Sequence, residues 1–152
     1  MFRGVVNLNL DAKGRMAVPT KYRALLSERF GGKVVITVDP DRCLSIYPLK
    51  IWEEIERKLD RMPTFQESAR KLQRALIGHA TEVEMDANGR LMVPAPLREF
   101  AGISKRAVLM GQTRKFELWD AEQFETKRAG WMDDIKDLSA LDLPEEIAGL
   151  SL

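Results

Sequence analysis

One cysteine, Cys43, and one histidine, His79, are all that the 152 residues offer of the two side chains most used for metal binding and nucleophilic catalysis. A lone thiol cannot close a disulfide within the chain. With a single imidazole beside it, no catalytic triad, zinc cluster or Cys-His nucleophile can be assembled from one copy. A glycine-rich phosphate loop is missing as well, because Gly31-Gly32 lacks the spacing and the following helix that such a loop needs. Carboxylates are abundant but form no recognisable pair. No apolar run is long enough for a signal peptide or a membrane span. These absences lead us to expect a cytoplasmic protein that is not an enzyme, has no cofactor or metal, acts on no evident small-molecule substrate and stays off membranes. His79 is expected to pack or cap at a strand entrance, and Cys43 to serve as a small apolar strand residue.

Charge of one sign is also lacking overall, with 24 Lys plus Arg against 23 Asp plus Glu, but its distribution is uneven. Residues 1–30 carry six basic side chains and two acidic ones, a local charge of +4. From Asp120 to Leu152 nine acids face three bases, a local charge of −6. The two ends should therefore meet different partners.

What the chain does have is a repeat. Asp11-Ala-Lys-Gly-Arg15-Met-Ala-Val-Pro19 returns 75 residues later as Asp86-Ala-Asn-Gly-Arg90-Leu-Met-Val-Pro94. Arg23 aligns with Arg98 at the same offset, and Leu44-Ser-Ile-Tyr47 with Phe116-Glu-Leu-Trp119 at an offset of 72. Extended residues Val5 to Leu10, the turn through Gly14 and the resumed strand Arg15 to Val18 give a hairpin signal, with Asp11 and Gly14 as turn residues. A short helix from Thr20, the stop at Gly31-Gly32, the run Val34 to Val38 and the alternating Leu44 to Tyr47 complete a β-β-α-β-β order. The second half repeats it, with Asp86 and Gly89 in the turn and a helix opened by Pro96 and closed near Gly102.

Two helical segments lie between the halves. Lys50 to Arg61 carries Ile51, Ile55 and Leu59 on one face, and Phe65 to Ile77 carries Phe65, Ala69, Leu72 and Leu76 on another. Thr64 and Glu67 have capping-box spacing. Part of these faces is expected to form a subunit interface. The tryptophans Trp52, Trp119 and Trp131, with Tyr47 and Phe116, are expected to pack rather than stack on bases. A last helix is expected from Ala121 to about Arg128, followed by an acidic tail that is either loose or a short amphipathic segment. The domain division expected is a first repeat at 1–62, a connecting helix at 63–77, a second repeat at 78–130 and the tail at 131–152. Each half alone would have a thin core, so the halves should pack on each other and whole chains should associate.

Arg15 and Arg90 directly follow the turn glycines. There a guanidinium can meet phosphate oxygens or a guanine edge, or can pair with Asp11 or Asp86 to fix the turn, and both can hold at once. Arg3, Lys13 and Lys21 align with Gly78, Asn88 and Pro96, so three positive charges exist only in the first half. This asymmetry points to Arg3, Lys13 and Arg15 as the contact to an anionic polymer, with Lys21 and Arg23 flanking and Arg90 assisting.

The duplicated Asp-x-x-x-Arg signature, the opening Met1-Phe-Arg-Gly4, the Gly78-His-Ala80 segment and the closing Leu150-Ser-Leu152 together resemble the MraZ family of bacterial transcriptional regulators, over the whole chain. The resemblance implies an α+β fold, a duplicated AbrB-like swapped-hairpin β-barrel with peripheral helices. It also implies closed homo-oligomeric rings, nucleoid association and double-stranded DNA as partner. The targets it implies are short tandem repeats upstream of the division and cell-wall gene cluster that includes the family member's own gene. A second class stays open on the residues alone: an antitoxin-like or scaffold module that uses the same fold and lets its acidic tail occupy a basic protein.

Overall fold

The computed structural model describes residues 1–150, so Ser151 and Leu152 of the closing Leu150-Ser-Leu152 lie outside the described residues. Eight strands and six helices follow the doubled order: β1 (Phe2–Asn9), β2 (Arg15–Ala17), α1 (Thr20–Phe30), β3 (Lys33–Val38) and β4 (Leu44–Pro48), then α2 (Leu49–Asp60) and α3 (Glu67–Leu76). The second copy is β5 (Thr81–Glu84), β6 (Arg90–Met92), α4 (Ala95–Ala101), β7 (Arg106–Thr113) and β8 (Phe116–Asp120), with α5 (Ala121–Asp134) and the short α6 (Glu145–Ala148) after it.

The strands of each expected hairpin do not pair with each other. Strand β1 runs antiparallel to β7 of the other repeat, from Phe2 opposite Thr113 to Asn9 opposite Arg106. Strand β5 does the reciprocal thing on β3, and β2 pairs with β6. The six-stranded sheet has the order β1-β7-β8-β4-β3-β5, with the β2-β6 ribbon apart from it. The turn Asp11–Gly14 does reverse the chain, but its arms part and each finds its partner in the other half. This is the exchange that gives a swapped-hairpin fold its name, and the chain has the α+β, AbrB-like architecture. It removes the thin-core problem, because one core is drawn from both repeats: Phe2, Met16, Leu26 and Ile36 pack with Leu91, Leu97, Leu109 and Leu118.

The opening Phe-Arg-Gly now has a physical meaning. Phe2 points inward and is 1% exposed, stacked on Phe116 with centroids 4.2 Å apart and edge-on to Tyr22 at 5.4 Å. Arg3 points outward, and its carbonyl accepts a hydrogen bond from the Tyr22 hydroxyl. Gly4 faces Gly111 in register, and a Cβ on Gly111 would run into the Arg3 backbone nitrogen, so β1 and β7 meet there closer than side chains permit.

Helix α3 starts at Glu67 behind Gln66, later than the Thr64–Glu67 spacing suggests, and that capping box does not form. Glu67 is the first helical residue rather than the third, and the Thr64 carbonyl accepts from Arg70 Nη1 instead. Phe65 consequently falls off the apolar face and is 81% exposed. The aromatic expectation fares better: Trp52 and Trp119 are buried, and Tyr47 lies against Trp52.

Residues from Glu122 onward form a unit of their own. Helix α5 continues to Asp134, beyond the expected Arg128, with Trp131 tilted against Phe124. A 3₁₀ turn at Leu138–Ala140 and α6 follow, leaving Met132, Ile135 and Ile147 exposed.

Candidate functional site

Each repeat builds its turn from one aspartate. Asp11 Oδ1 accepts the backbone N–H groups of Lys13 (3.0 Å) and Arg15 (2.9 Å), and its Oδ2 accepts Arg15 Nε at 2.7 Å. Asp86 repeats the pattern with Asn88 N–H, Arg90 N–H and Arg90 Nε, each at 2.9 Å. A side chain that satisfies two main-chain donors in this way mimics a backbone turn, which is why Asp suits the position. Gly14 and Gly89 close the turns with φ of 82° and 74°, values that L side chains rarely adopt. The pairing of each Arg with its own Asp is thus part of the structure. It commits Nε alone, and among the described residues no hydrogen bond is made by the terminal nitrogens of Arg15 or Arg90.

The Arg15 N–H above all holds the Asp11 carboxyl below the usual carboxylate range; burial opposes it, the Arg15 guanidinium and the Lys13 N–H add to it, and Asp86 is held down in the same way. A depressed native pKa means stability that is present above the ordinary carboxylate pKa and lost as pH falls through the native one. We expect the melting temperature to fall as pH drops from about 5 toward 2, and the doubly substituted Asp11→Asn, Asp86→Asn protein to show a flatter profile in that window. A thermal melt series across those pH values checks this.

The exchange brings the two motifs together. In the β2-β6 ribbon Arg15 is opposite Met92, Met16 opposite Leu91 and Ala17 opposite Arg90. Met16 and Leu91 point inward and are buried, so Arg15, Ala17, Arg90 and Met92 share the outward face. The Val18 N–H donates to the Gly89 carbonyl at 2.9 Å and the Val93 N–H to the Gly14 carbonyl at 3.0 Å. These bonds set the phase of the ladder and make Arg15–Met92 and Ala17–Arg90 the non-bonded pairs, whose Cα atoms approach to about 4.5 Å. Arg15 and Arg90 are then diagonal neighbours about 7–8 Å apart on one surface. Two arginines 75 residues apart in the chain thus share one face, each steered by its own carboxylate.

Arg23 and Arg98 brace this arrangement. Arg23 Nε donates to the Val18 carbonyl at 2.7 Å and Arg98 Nε to the Val93 carbonyl at 3.0 Å. Each guanidinium then lies over the turn of the opposite repeat: a Cβ on Gly89 would stand 2.5 Å from Arg23 Nε, and one on Gly14 would stand 2.6 Å from Arg98 Cζ. Arg98 was not among the sequence candidates, although its alignment with Arg23 marks the pair.

The remaining candidates divide. Lys13 is exposed on the first turn beside Arg15. Arg3 stands near the start of β1, about 20 Å of strand from its far end at Asn9 at ~3.3 Å per residue. Its companion is Lys21, whose ammonium lies over Gly4, 3.6 Å from where a Cβ would be, and near the Tyr22 ring at 4.9 Å. The structure thus forms a ribbon group of Lys13, Arg15 and Arg90, and an outlying pair, Arg3 and Lys21.

Elsewhere, His79 Nδ1 lies 2.9 Å from the Ala75 carbonyl oxygen and caps the end of α3. Burial, reinforced by Glu117 and Asp39, pushes the Cys43 thiol up. Asp39, Cys43 and Glu117 cluster, but the Lys115 ammonium stands 3.6 Å from Asp39 and 3.7 Å from Glu117 and balances them. No helix among the described residues is long and apolar enough to cross a membrane.

A family model described as "MraZ protein, putative antitoxin-like" matches residues 1–75 and again 76–131. The chain is 54% identical to a protein of Halorhodospira halophila named "Transcriptional regulator MraZ", with all of both chains covered. Proteins of the same name from Nitrosomonas europaea and Coxiella burnetii are 48% and 46% identical over the whole of both chains.

Proposed function

The chain belongs to the MraZ family, and from that premise we propose that it is a sequence-specific DNA-binding transcriptional regulator whose reading edge is the β2-β6 ribbon. The observation that carries this is the convergence of Arg15 and Arg90 on one outward face, with Nε held by an aspartate and the terminal nitrogens left to a ligand. A major groove about 12 Å wide admits a two-stranded ribbon, and a guanidinium presented end-on can take the O6 and N7 of guanine together. Lys13 would meet phosphate beside the ribbon. Arg3 and Lys21 would anchor a second stretch of backbone, in keeping with the division between contacts that position and contacts that specify. Arg23 is assigned the bracing of the turn.

A single chain offers few charges. Rings of several subunits engaging short tandem repeats upstream of the division and cell-wall gene cluster, its own gene included, would raise affinity by about 10²–10⁴ through linkage alone. Such a protein works in the cytoplasm at the nucleoid. The division into repeats at 1–62 and 78–130, with 63–77 between them and a tail at 131–152, belongs to this reading. It requires both repeats to fold as one piece.

A footprint of the purified protein on DNA upstream of its own gene tests the proposal: protection at regularly spaced short repeats is expected. Affinity should fall steeply as salt rises, since each phosphate contact releases counterions. Absence of any footprint, or a flat salt response, would refute it. A variant ending at residue 130 separates the antitoxin-like alternative. Unchanged protection assigns the acidic tail to other duties, and its loss would tie the tail to the DNA complex.

A further inference from the structure

The two-fold likeness of the ribbon is broken at one outward pair of positions. Ala17 and Met92 are equivalent in the repeat, yet the pair at one end is Arg15 with Met92 and the pair at the other is Arg90 with Ala17. Met92 is 41% exposed, a large apolar side chain on an otherwise basic surface. The second difference falls at the same end: Lys13 stands on the turn beside Arg15, and its equivalent beside Arg90 is Asn88. One end of the ribbon therefore offers Lys13, Arg15 and Met92, and the other Asn88, Arg90 and Ala17.

We propose that Met92 is a specificity residue that packs on the C5-methyl group of a thymine next to the base contacted by Arg15, and so fixes which way round the ribbon lies on its site. The inference rests on the ribbon being the DNA-reading edge. In the major groove only thymine presents a methyl group, and apolar side chains recognise it by contact. An unbranched thioether placed directly across from Arg15, in a pair with Cα atoms about 4.5 Å apart, reaches the base neighbouring the one the guanidinium takes. Alanine at the equivalent place is too short to reach a methyl group there. A ribbon with two equal ends could not distinguish the two directions of a site. One marked end suits a site read in a single orientation, which is what successive copies in a tandem array require.

The test uses the full-length protein and the tightest duplex it selects from a random-sequence pool, remade with each thymine replaced in turn by deoxyuridine, which removes the methyl group alone. For the parent protein, one thymine per bound unit is expected at which the replacement weakens binding about three- to fivefold, the value of burying one methyl group. Met92→Ala should be insensitive at that position, binding the thymine and the deoxyuridine duplex alike and about as weakly as the parent binds the deoxyuridine form. Ala17→Met should gain sensitivity at the position related by the pseudo-two-fold axis. The inference is overturned if Met92→Ala keeps the parent's sensitivity, if it weakens every duplex alike, if it changes the oligomeric state, or if no thymine is sensed. Arg15→Ala on the same duplexes tells the two failures apart. Unchanged binding by it sinks the ribbon reading itself, whereas its loss beside an inert Met92→Ala sinks only the role of Met92.

Discussion

Arg15→Ala should lose operator binding by on the order of a hundredfold or more in a gel shift while the protein still folds and assembles. One bidentate arginine–guanine contact is worth about 1–3 kcal/mol, or roughly 5- to 150-fold, and the loss multiplies when several subunits bind one duplex. Arg15 is a partly exposed ribbon residue whose guanidinium pairs with Asp11 in its own turn, so its removal should move the melting temperature by no more than a few degrees. Arg90→Ala is the more searching variant. On sequence alone Arg90 assists; on the ribbon it is the diagonal counterpart of Arg15, with alanine opposite it in place of methionine and asparagine in place of lysine on the neighbouring turn. A loss of about tenfold or more is expected for it as well. Full binding by Arg90→Ala would mean that only one end of the ribbon touches DNA.

The largest stability effect is expected at Phe2. Its ring is 1% exposed within a cluster of three aromatic rings drawn from β1, α1 and β8. Truncation to alanine should cost about 3–5 kcal/mol, a large share of what a domain of this size has, and lower the melting temperature by about 6–20 °C. Phe2→Leu should recover much of the loss by refilling the cavity. Circular dichroism melts of the three proteins measure it, and a shift under about 3 °C for Phe2→Ala would show that the end of β1 is not pinned as described. Arg3 and Lys21 should weaken as DNA contacts in Phe2→Ala, because the strand that carries one and covers the other is loosened.

The element order was legible because its signals are local. Glycines after α1 and α4, the aspartate turns and the alternation of β4 and β8 all act within a few residues. Which strand pairs with which was not, since an Asp-x-x-Gly turn reverses the chain whether its arms zip together or separate. Two-residue alternation names an inward face without naming a partner. The resemblance supplied the exchange. At the site, the two readings of Arg15 turned out to be compatible because a guanidinium has more donors than one carboxylate takes. Arg23 reads in the sequence as flanking the contact to an anionic polymer, and the turn it lies over is 66 residues away in the chain. Met92 was hidden by its neighbours: between Leu91 and Val93 it reads as core, and only the ribbon register turns it outward.

The exchange of strands also sets a timetable for synthesis. Phe2 leaves the ribosome about 110 residues before its partner Thr113, an interval of roughly 5–20 s at 5–20 residues per second. Through that interval β1 has no edge to join, and it is the kind of extended segment that captures other nascent chains. Its outward positions hold Arg3, Val5, Asn7 and Asn9, one apolar side chain among three polar ones, and Gly4 interrupts the run before Val5-Val6. A charge, a glycine and two asparagines within eight residues make β1 a poor template for aggregation, so the strand that must wait longest is also built to wait alone.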